Sequence, residues 1–74
     1  MTVIRVAEIN HLYLYVTITR NGEKESKKMK PAELKKSIKR HQAFYGCTQV
    51  SNTYDEYEQT IRFTKGIEFH IILY

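Results

Sequence analysis

Apolar and polar residues alternate along residues 57–74, YEQTIRFTKGIEFHIILY, with one interruption at Lys65-Gly66. Alternation with a period of two is typical of a half-buried β-strand, and a short break that contains Gly is typical of a hairpin turn. The segment therefore predicts two antiparallel strands. The apolar positions that share one face are Tyr57, Ile61, Phe63, Ile67, Phe69, Ile71 and Leu73.

Two independent patterns predict the register of this hairpin. Cross-strand partners share a face, so a two-residue turn would place the two apolar rows on opposite faces. A three-residue loop that ends at Gly66 instead sets Phe63 opposite Ile67, with Gly66 as the left-handed residue of a bulge. The same register sets Arg62 opposite Glu68, and such a charge pair adds about 0.2 to 1 kcal/mol. Hydrophobic pattern and charge thus favour the same loop.

A second alternating region covers the N-terminal third of the chain. Its inward positions are Ile4, Val6, Leu12, Leu14, Val16 and Ile18, with a turn at Asn10-His11. Its outward positions are Tyr13, Tyr15, Thr17 and Thr19. Asn21-Gly22 predicts a two-residue hairpin turn. If the polar stretch that follows, EKESKK, forms a strand, it lies at an edge of the sheet, where lysines discourage pairing with another sheet.

The segment after this stretch has the pattern of an amphipathic helix, with Pro31 in the first turn and Gly46 just beyond the end. At about 100° per residue, its residues separate into a mainly apolar stripe and a basic side. The stripe contains Leu34, Ile38, His41 and Tyr45, and the basic side contains Lys35, Lys36, Lys39 and Arg40. We interpret His41 as a histidine at the edge of the core.

Together these elements predict an α+β fold. It consists of a small antiparallel β-sheet of four to six strands with one amphipathic α-helix packed on one face, in the order β-β-(β)-α-β-β-β. A short strand is expected at residues 47–50, and residues 53–59 could form a turn, a strand or a short helix. The expected core consists of Leu14, Val16, Leu34, Ile38, Ile61, Phe63, Phe69 and Ile71.

The length and composition of the chain limit its class. Its 74 residues are expected to form a single compact domain, residues 1–74, with one thin core layer. A membrane span needs about 18 apolar residues in a row, and the chain contains no such run. No secretion signal is recognisable either, so we expect a cytoplasmic protein. Cys47 is the only cysteine and is interpreted as a buried, inert thiol. Neither a metal nor another cofactor is expected, because no motif for one is present.

Positive charge is concentrated in residues 27–41, KKMKPAELKKSIKRH, which hold seven Lys or Arg and a single acid, Glu33. The segment counts +6 and the whole chain +4, so the other residues sum to −2. Clustered cations suit phosphates or an acidic protein surface, although a merely solvated helix face is also charged. The candidate binding residues are Lys27, Lys28, Lys30, Lys35, Lys36, Lys39 and Arg40.

The face of the sheet that the helix does not cover is a second candidate surface. Strand parity places on it Tyr13, Tyr15, Arg62, His70, Ile72 and Tyr74. Aromatic side chains grouped with Arg suit a protein partner or base stacking. A homodimer through this exposed face is an equally open interpretation.

Motifs for catalysis are absent, since the chain contains no GxGxxG, GxxxxGK[ST] or HExxH. The C-terminal hairpin resembles the last strands of RelE-like ribonuclease toxins, in which basic residues, a His and a late Tyr act on RNA without a metal. The resemblance covers residues 57–74, and Arg62, His70 and Tyr74 would take those parts. The paired N-terminal helices of the toxins are missing. The resemblance implies a metal-independent ribonuclease as one alternative.

The leading hypothesis is a small non-enzymatic binding module. In size and charge the chain resembles phage or mobile-element inhibitors and regulators, which suggests docking on a host protein through the basic helix, the tyrosine-bearing sheet face, or both. Direct binding of DNA or RNA by the helix is the alternative. A protein partner is preferred at this stage because Asp55, Glu56 and Glu58 would repel a phosphate backbone that extends beyond the helix.

Overall fold

The computed structural model describes residues 13–55 and 57–73, which form one antiparallel sheet and one helix. The elements are β1 (Leu14–Arg20), β2 (Glu23–Met29), α1 (Pro31–Tyr45), β3 (Gln49–Tyr54), β4 (Glu58–Phe63) and β5 (Ile67–Leu73). Across the sheet the strand order is β2-β1-β5-β4-β3. The α+β prediction is confirmed, with five strands in the described part of the chain. The strand and turn predicted before Leu12 lie outside the described residues.

The C-terminal hairpin has the register that the sequence predicts. Arg62 pairs with Glu68 and the next inward pair is Ile61 with Phe69, which brings Phe63 opposite Ile67. The predicted ion pair forms, because Arg62 Nε donates to Glu68 Oε1 at 3.0 Å. Gly66 has a φ of +70° as expected. A second left-handed residue, Lys65 with a φ of +65°, was not predicted.

The loop of this hairpin meets the turn between β1 and β2. Asn21 N donates to Gly66 O at 3.0 Å, so the tips of the two hairpins are joined by a backbone hydrogen bond. The turn itself is the predicted two-residue type, with positive φ angles of 51° at Asn21 and 88° at Gly22. It leads into β2, which lies at an edge of the five-stranded sheet, as predicted for the EKESKK stretch.

Replacing Gly66 by Val is expected to lower the free energy of unfolding by about 1 kcal/mol or more, because a β-branched residue resists the left-handed region. Thermal unfolding measures the effect. Gly66→Asn is the matched control. Either new side chain would meet Asn21, whose Oδ1 lies 2.7 Å from a Cβ built at residue 66. Asn, however, adopts a positive φ more readily than Val does. Equal melting temperatures for both variants and the parent would contradict the predicted loop.

The helix α1 crosses one face of the sheet and encloses the core. It begins at Pro31 and ends before Gly46, which has a φ of +65° in the left-handed region and forms its C-cap. Its residues Leu34 and Ile38 are buried. No helix in the described residues is long and apolar enough to cross a membrane. The core contains every predicted member and consists of Leu14, Val16, Ile18, Met29, Leu34, Ile38, Cys47, Ile61, Phe63, Ile67, Phe69 and Ile71.

The region between Gly46 and β4 differs from the prediction. The strand expected at residues 47–50 begins at Gln49 and runs to Tyr54, with an irregularity in register around Val50. Within residues 53–59, the described positions complete β3, pass through a bend and begin β4, so this segment contains strand and turn and not the short helix. Tyr57 was placed in the inward row, but β4 begins one residue later and the Tyr57 side chain is 60% exposed.

The inward row of β4 contains a polar residue that its pattern did not reveal. Gln59 is completely buried. A buried amide is costly unless its polar atoms are hydrogen-bonded. Here Gln59 Nε2 donates to Asn52 Oδ1 on the neighbouring strand at 2.8 Å. The core therefore extends into a small hydrogen-bonded polar group at the β3 side of the sheet.

Candidate binding surfaces

The two surfaces predicted from the sequence lie on opposite sides of the molecule, because α1 covers one face of the sheet. Side chains directly opposite each other on neighbouring strands share a face. Lys27 is opposite the buried Val16 and so lies on the helix side, whereas Lys28 is opposite Tyr15 and lies on the uncovered side. Two adjacent lysines of the same basic segment thus belong to different surfaces.

The candidate residues divide between the two sides of the sheet. The helix side holds Lys27, Lys30, Lys35, Lys36, Lys39 and Arg40. The uncovered face of the sheet, which we call the open face, holds Tyr15, Lys28, Arg62 and His70, with Ile72 beside Tyr15 and Tyr13 next in alternation before β1. Tyr74 lies outside the described residues.

The basic face of α1 consists of exposed cations that form no ion pair with an acid of the described residues. We define this face as Lys30, Lys35, Lys36, Lys39 and Arg40, all of which are exposed. Ion pairs in residues 13–55 and 57–73 involve other side chains, and none of these five has one. The nearby acid Glu33, one helical turn before Lys36, is also exposed but forms no ion pair with these cations. One carboxylate beside five cations leaves the face strongly positive within the described structure.

The placement of these cations does not serve the stability of the helix. Positive charges stabilise a helix near its C-terminus, where they interact with the macrodipole. The last turn of α1 contains no basic residue, and Lys30 occupies the N-cap, where a positive charge is unfavourable. Lys30 also makes no capping hydrogen bond through its side chain. Stabilisation of the helix macrodipole therefore does not explain this arrangement.

The open face, in contrast, is a mixed surface whose charges are largely paired. Arg62 forms the ion pair with Glu68 described above, and His70 Nε2 lies 3.6 Å from Glu58 Oε2. Toward β2, the hydroxyl groups of Thr17 and Ser26 are hydrogen-bonded at 2.9 Å. Such cross-strand pairing is typical of the solvated face of an antiparallel sheet. A homodimer through this face stays a prediction.

The residues named for a ribonuclease lie together only in part. Arg62 and His70 occupy neighbouring strands of the open face, and each has a carboxylate partner within 4.0 Å. Tyr74, the third member, lies outside the described residues. Within those residues no three His, Cys, Asp or Glu side chains come together as a group that could hold a metal ion.

His41 occupies the edge of the core, as predicted. Its Nε2 lies 3.0 Å from Arg20 Nη1, and its Nδ1 lies 2.8 Å from Ser37 O. A guanidinium group can only donate, so Nε2 accepts and the proton must be on Nδ1, which donates to the carbonyl. The ring packs edge-on against Phe69 with centroids 5.1 Å apart. His41 therefore links α1 to β1 and β5.

Cys47 is buried, as expected, and lies next to this histidine. It occupies the chain segment between α1 and β3 and belongs to the core. Its Sγ lies 3.6 Å from His41 O, the distance of a weak hydrogen bond from the thiol to the carbonyl. The Cys47 side chain thus contributes to the core at the point where the chain passes from the end of α1 to β3.

Phe44 is the exposed residue that the sequence reasoning missed. Its side chain is 79% exposed at the C-terminal end of α1, four residues after Arg40 and eight after Lys36. Residues four apart are neighbours on a helix surface, so the ring continues the basic face. Its ring contacts that of Tyr45, with centroids 4.9 Å apart and planes at 77°. The spacing of Phe44 from the two cations was the available signal.

No family model matches the chain, and no curated protein or solved structure shows significant similarity to it. The similarity to RelE-like toxins therefore remains a resemblance of the C-terminal hairpin alone.

Proposed function

We propose that this protein is a non-enzymatic nucleic-acid-binding module whose binding surface is the basic face of α1. The proposal depends above all on one observation: four exposed cations of one helix and Lys30 at its N-cap form no ion pair in the described structure. Clustered Lys and Arg that neutralise phosphates supply most of the affinity of sequence-independent nucleic-acid binding.

The positions of the acidic residues also support this choice over a protein partner. Asp55 and Glu58 flank the β3–β4 turn, at the edge of the described sheet opposite β2. Glu58 lies on the open face, where it pairs with His70. The C-terminal end of α1 is near the other end of β4, because Lys65 Nζ, in the loop after β4, donates to Tyr45 O at 3.0 Å. The repulsion that favoured a protein partner is thus weakened at the C-terminal part of the basic face, because these two carboxylates lie toward the opposite end of β4.

The charge-reversed variant K35E/K36E/K39E/R40E is expected to lose measurable binding to a 20-nucleotide strand and to a 20-base-pair duplex. For the parent, a salt series should give a log–log slope of about −0.7 for each phosphate neutralised on a single strand and about −0.9 on a duplex. Fluorescence anisotropy from low to physiological salt measures both quantities. Circular dichroism checks the fold, which should persist because none of the four side chains belongs to the core.

A matched pair of double variants separates a local site from a general effect of net charge. K36E/R40E and K24E/K28E change the charge equally, but the second pair lies on the open face. Only K36E/R40E should weaken binding strongly. Equal weakening by both pairs, or undiminished binding by the quadruple variant, would contradict the proposed site.

The second candidate function is docking on a host protein, as an inhibitor or regulator of the phage or mobile-element type. The largely exposed ring of Phe44, one helical turn after Arg40, favours it, because aromatic and Arg side chains are enriched where protein interfaces are strongest. Affinity capture from a cell extract, with and without nuclease treatment, distinguishes the two candidates. A captured protein that survives nuclease and is lost with K36E/R40E supports docking, whereas loss of all captured material on nuclease treatment supports nucleic-acid binding.

A further inference from the structure

The most exposed large apolar side chain in the described residues belongs to the same helix as the basic face. Phe44 is 79% exposed, more than any of the tyrosines or Val50. Single exposed apolar residues are common on protein surfaces. This one differs because it follows Arg40 and Lys36 at intervals of one helical turn, which correspond to about 6 Å along the axis for each interval.

The ring of Phe44 is supported from the core outward. Its partner Tyr45 lies 5.6 Å from the ring of His41, and His41 packs edge-on against the buried Phe69. His41 is itself held by the two hydrogen bonds described above. A contiguous series of ring contacts therefore connects the exposed ring to the sheet. A side chain held in this way loses little conformational entropy when a ligand binds to it.

The combination of a supported aromatic ring and neighbouring cations identifies the chemistry of the ligand. Cations require an anionic partner, and an exposed phenyl ring suits a flat apolar group. A single-stranded nucleic acid offers both, because its bases have accessible faces and its phosphates follow one another along the chain. In a duplex the base faces are stacked on one another and are not accessible to a ring on the protein surface.

We propose that Phe44 is a stacking platform for a base of single-stranded DNA or RNA whose phosphates contact Lys36 and Arg40. The proposal rests on the proposed function and deepens it, since it names single strands as the preferred ligand. The distance from Lys36 to Phe44 is about 12 Å along the axis, which a short single-stranded segment can span. An acidic protein with an apolar pocket is the competing ligand.

The test compares three probes of equal length: a 20-nucleotide oligothymidine, the same backbone with abasic sites, and a 20-base-pair duplex. Phe44→Ala should weaken binding to oligothymidine by about 5- to 150-fold, the range measured for base–aromatic stacking. Binding to the abasic strand should not change, because its phosphates remain and its bases are absent. Phe44→Tyr should retain the affinity of the parent and Phe44→Leu should lose it. Tyr57→Ala is the control at a remote exposed ring.

The possible outcomes separate this inference from the proposed function. If the parent binds all three probes with the expected salt dependence and Phe44→Ala changes nothing, the platform is excluded while nucleic-acid binding by the basic face stands. If Phe44→Leu binds oligothymidine as tightly as the parent, stacking is excluded as well. If no probe binds at low salt, both proposals are overturned and docking on a protein becomes the better account.

Discussion

Phe69→Ala is expected to lower the free energy of unfolding by about 3 to 5 kcal/mol. Phe69 is completely buried on β5, and its ring contacts those of Phe63 and His41, with centroids 5.8 and 5.1 Å apart. Its removal would leave a cavity beneath α1 and deprive His41 of a packing partner. At about 0.05 to 0.15 kcal/mol per residue, a chain of this length has a total stability of roughly 4 to 11 kcal/mol. The substitution therefore removes much of that stability.

Chemical denaturation measures this effect, and Phe44→Ala is its matched control. The same side chain is removed from an exposed position, so its effect should stay within about 0.5 kcal/mol. A midpoint for Phe69→Ala equal to that of the parent would show that Phe69 does not pack as described. The pair also confirms that any loss of binding by Phe44→Ala is not a loss of folding.

The second large effect is expected at Ile38, through which α1 contacts the sheet. Ile38→Ala should cost about 2 to 5 kcal/mol, because the side chain is buried between helix and strands. A change in the urea midpoint at constant slope would measure a change in stability without a change in the surface exposed on unfolding.

Ile72→Ala provides the comparison, since Ile72 is half-buried on the open face of β5. It should cost clearly less than Ile38→Ala. Equal losses of unfolding free energy at the two positions would mean that the helix does not determine which face of the sheet is the core. A smaller loss at Ile38 than at Ile72 would show that α1 does not pack on the sheet through Ile38.

Local patterns predicted the elements that are determined by local physics. The C-terminal hairpin has alternating apolar residues, a glycine at the required left-handed position and the pair Arg62–Glu68, all of which specify one register. The helix is similarly bounded by Pro31 and Gly46. These signals depend on neighbouring residues and backbone sterics, so no tertiary information was needed to interpret them.

The features that the sequence did not predict depend on tertiary contacts. The β3 sequence, QVSNTY, lacks regular alternation and forms a strand by pairing with β4. Gln59 was assigned no inward role because a buried amide depends on a distant partner, here Asn52. The exposure of Tyr57 follows from the start of β4 at Glu58, which the alternation alone does not define.

The candidate site was predictable in part. Helical periodicity correctly grouped Lys35, Lys36, Lys39 and Arg40 on the exposed side of α1. The separation of Lys27 from Lys28 required the knowledge that β2 is a strand, in which adjacent side chains point to opposite faces. Phe44 was overlooked because the two stripes were defined by charge and by burial, and an exposed aromatic residue belongs to neither.

The position of β5 between β1 and β4 has a consequence for the order in which the protein can fold. Pairing of β1 with β5 joins residues from 47 positions apart, Arg20 with Ile67, to 59 positions apart, Leu14 with Leu73. Contacts between such distant residues form slowly because long loops must close first. During synthesis, β1 and β2 can form a hairpin early, but β1 gains its central neighbour only after β5 has left the ribosome. Until then the edge of β1 that pairs with β5 presents unpaired backbone N–H and C=O groups. Removing β5 would split the described sheet into two separate hairpins.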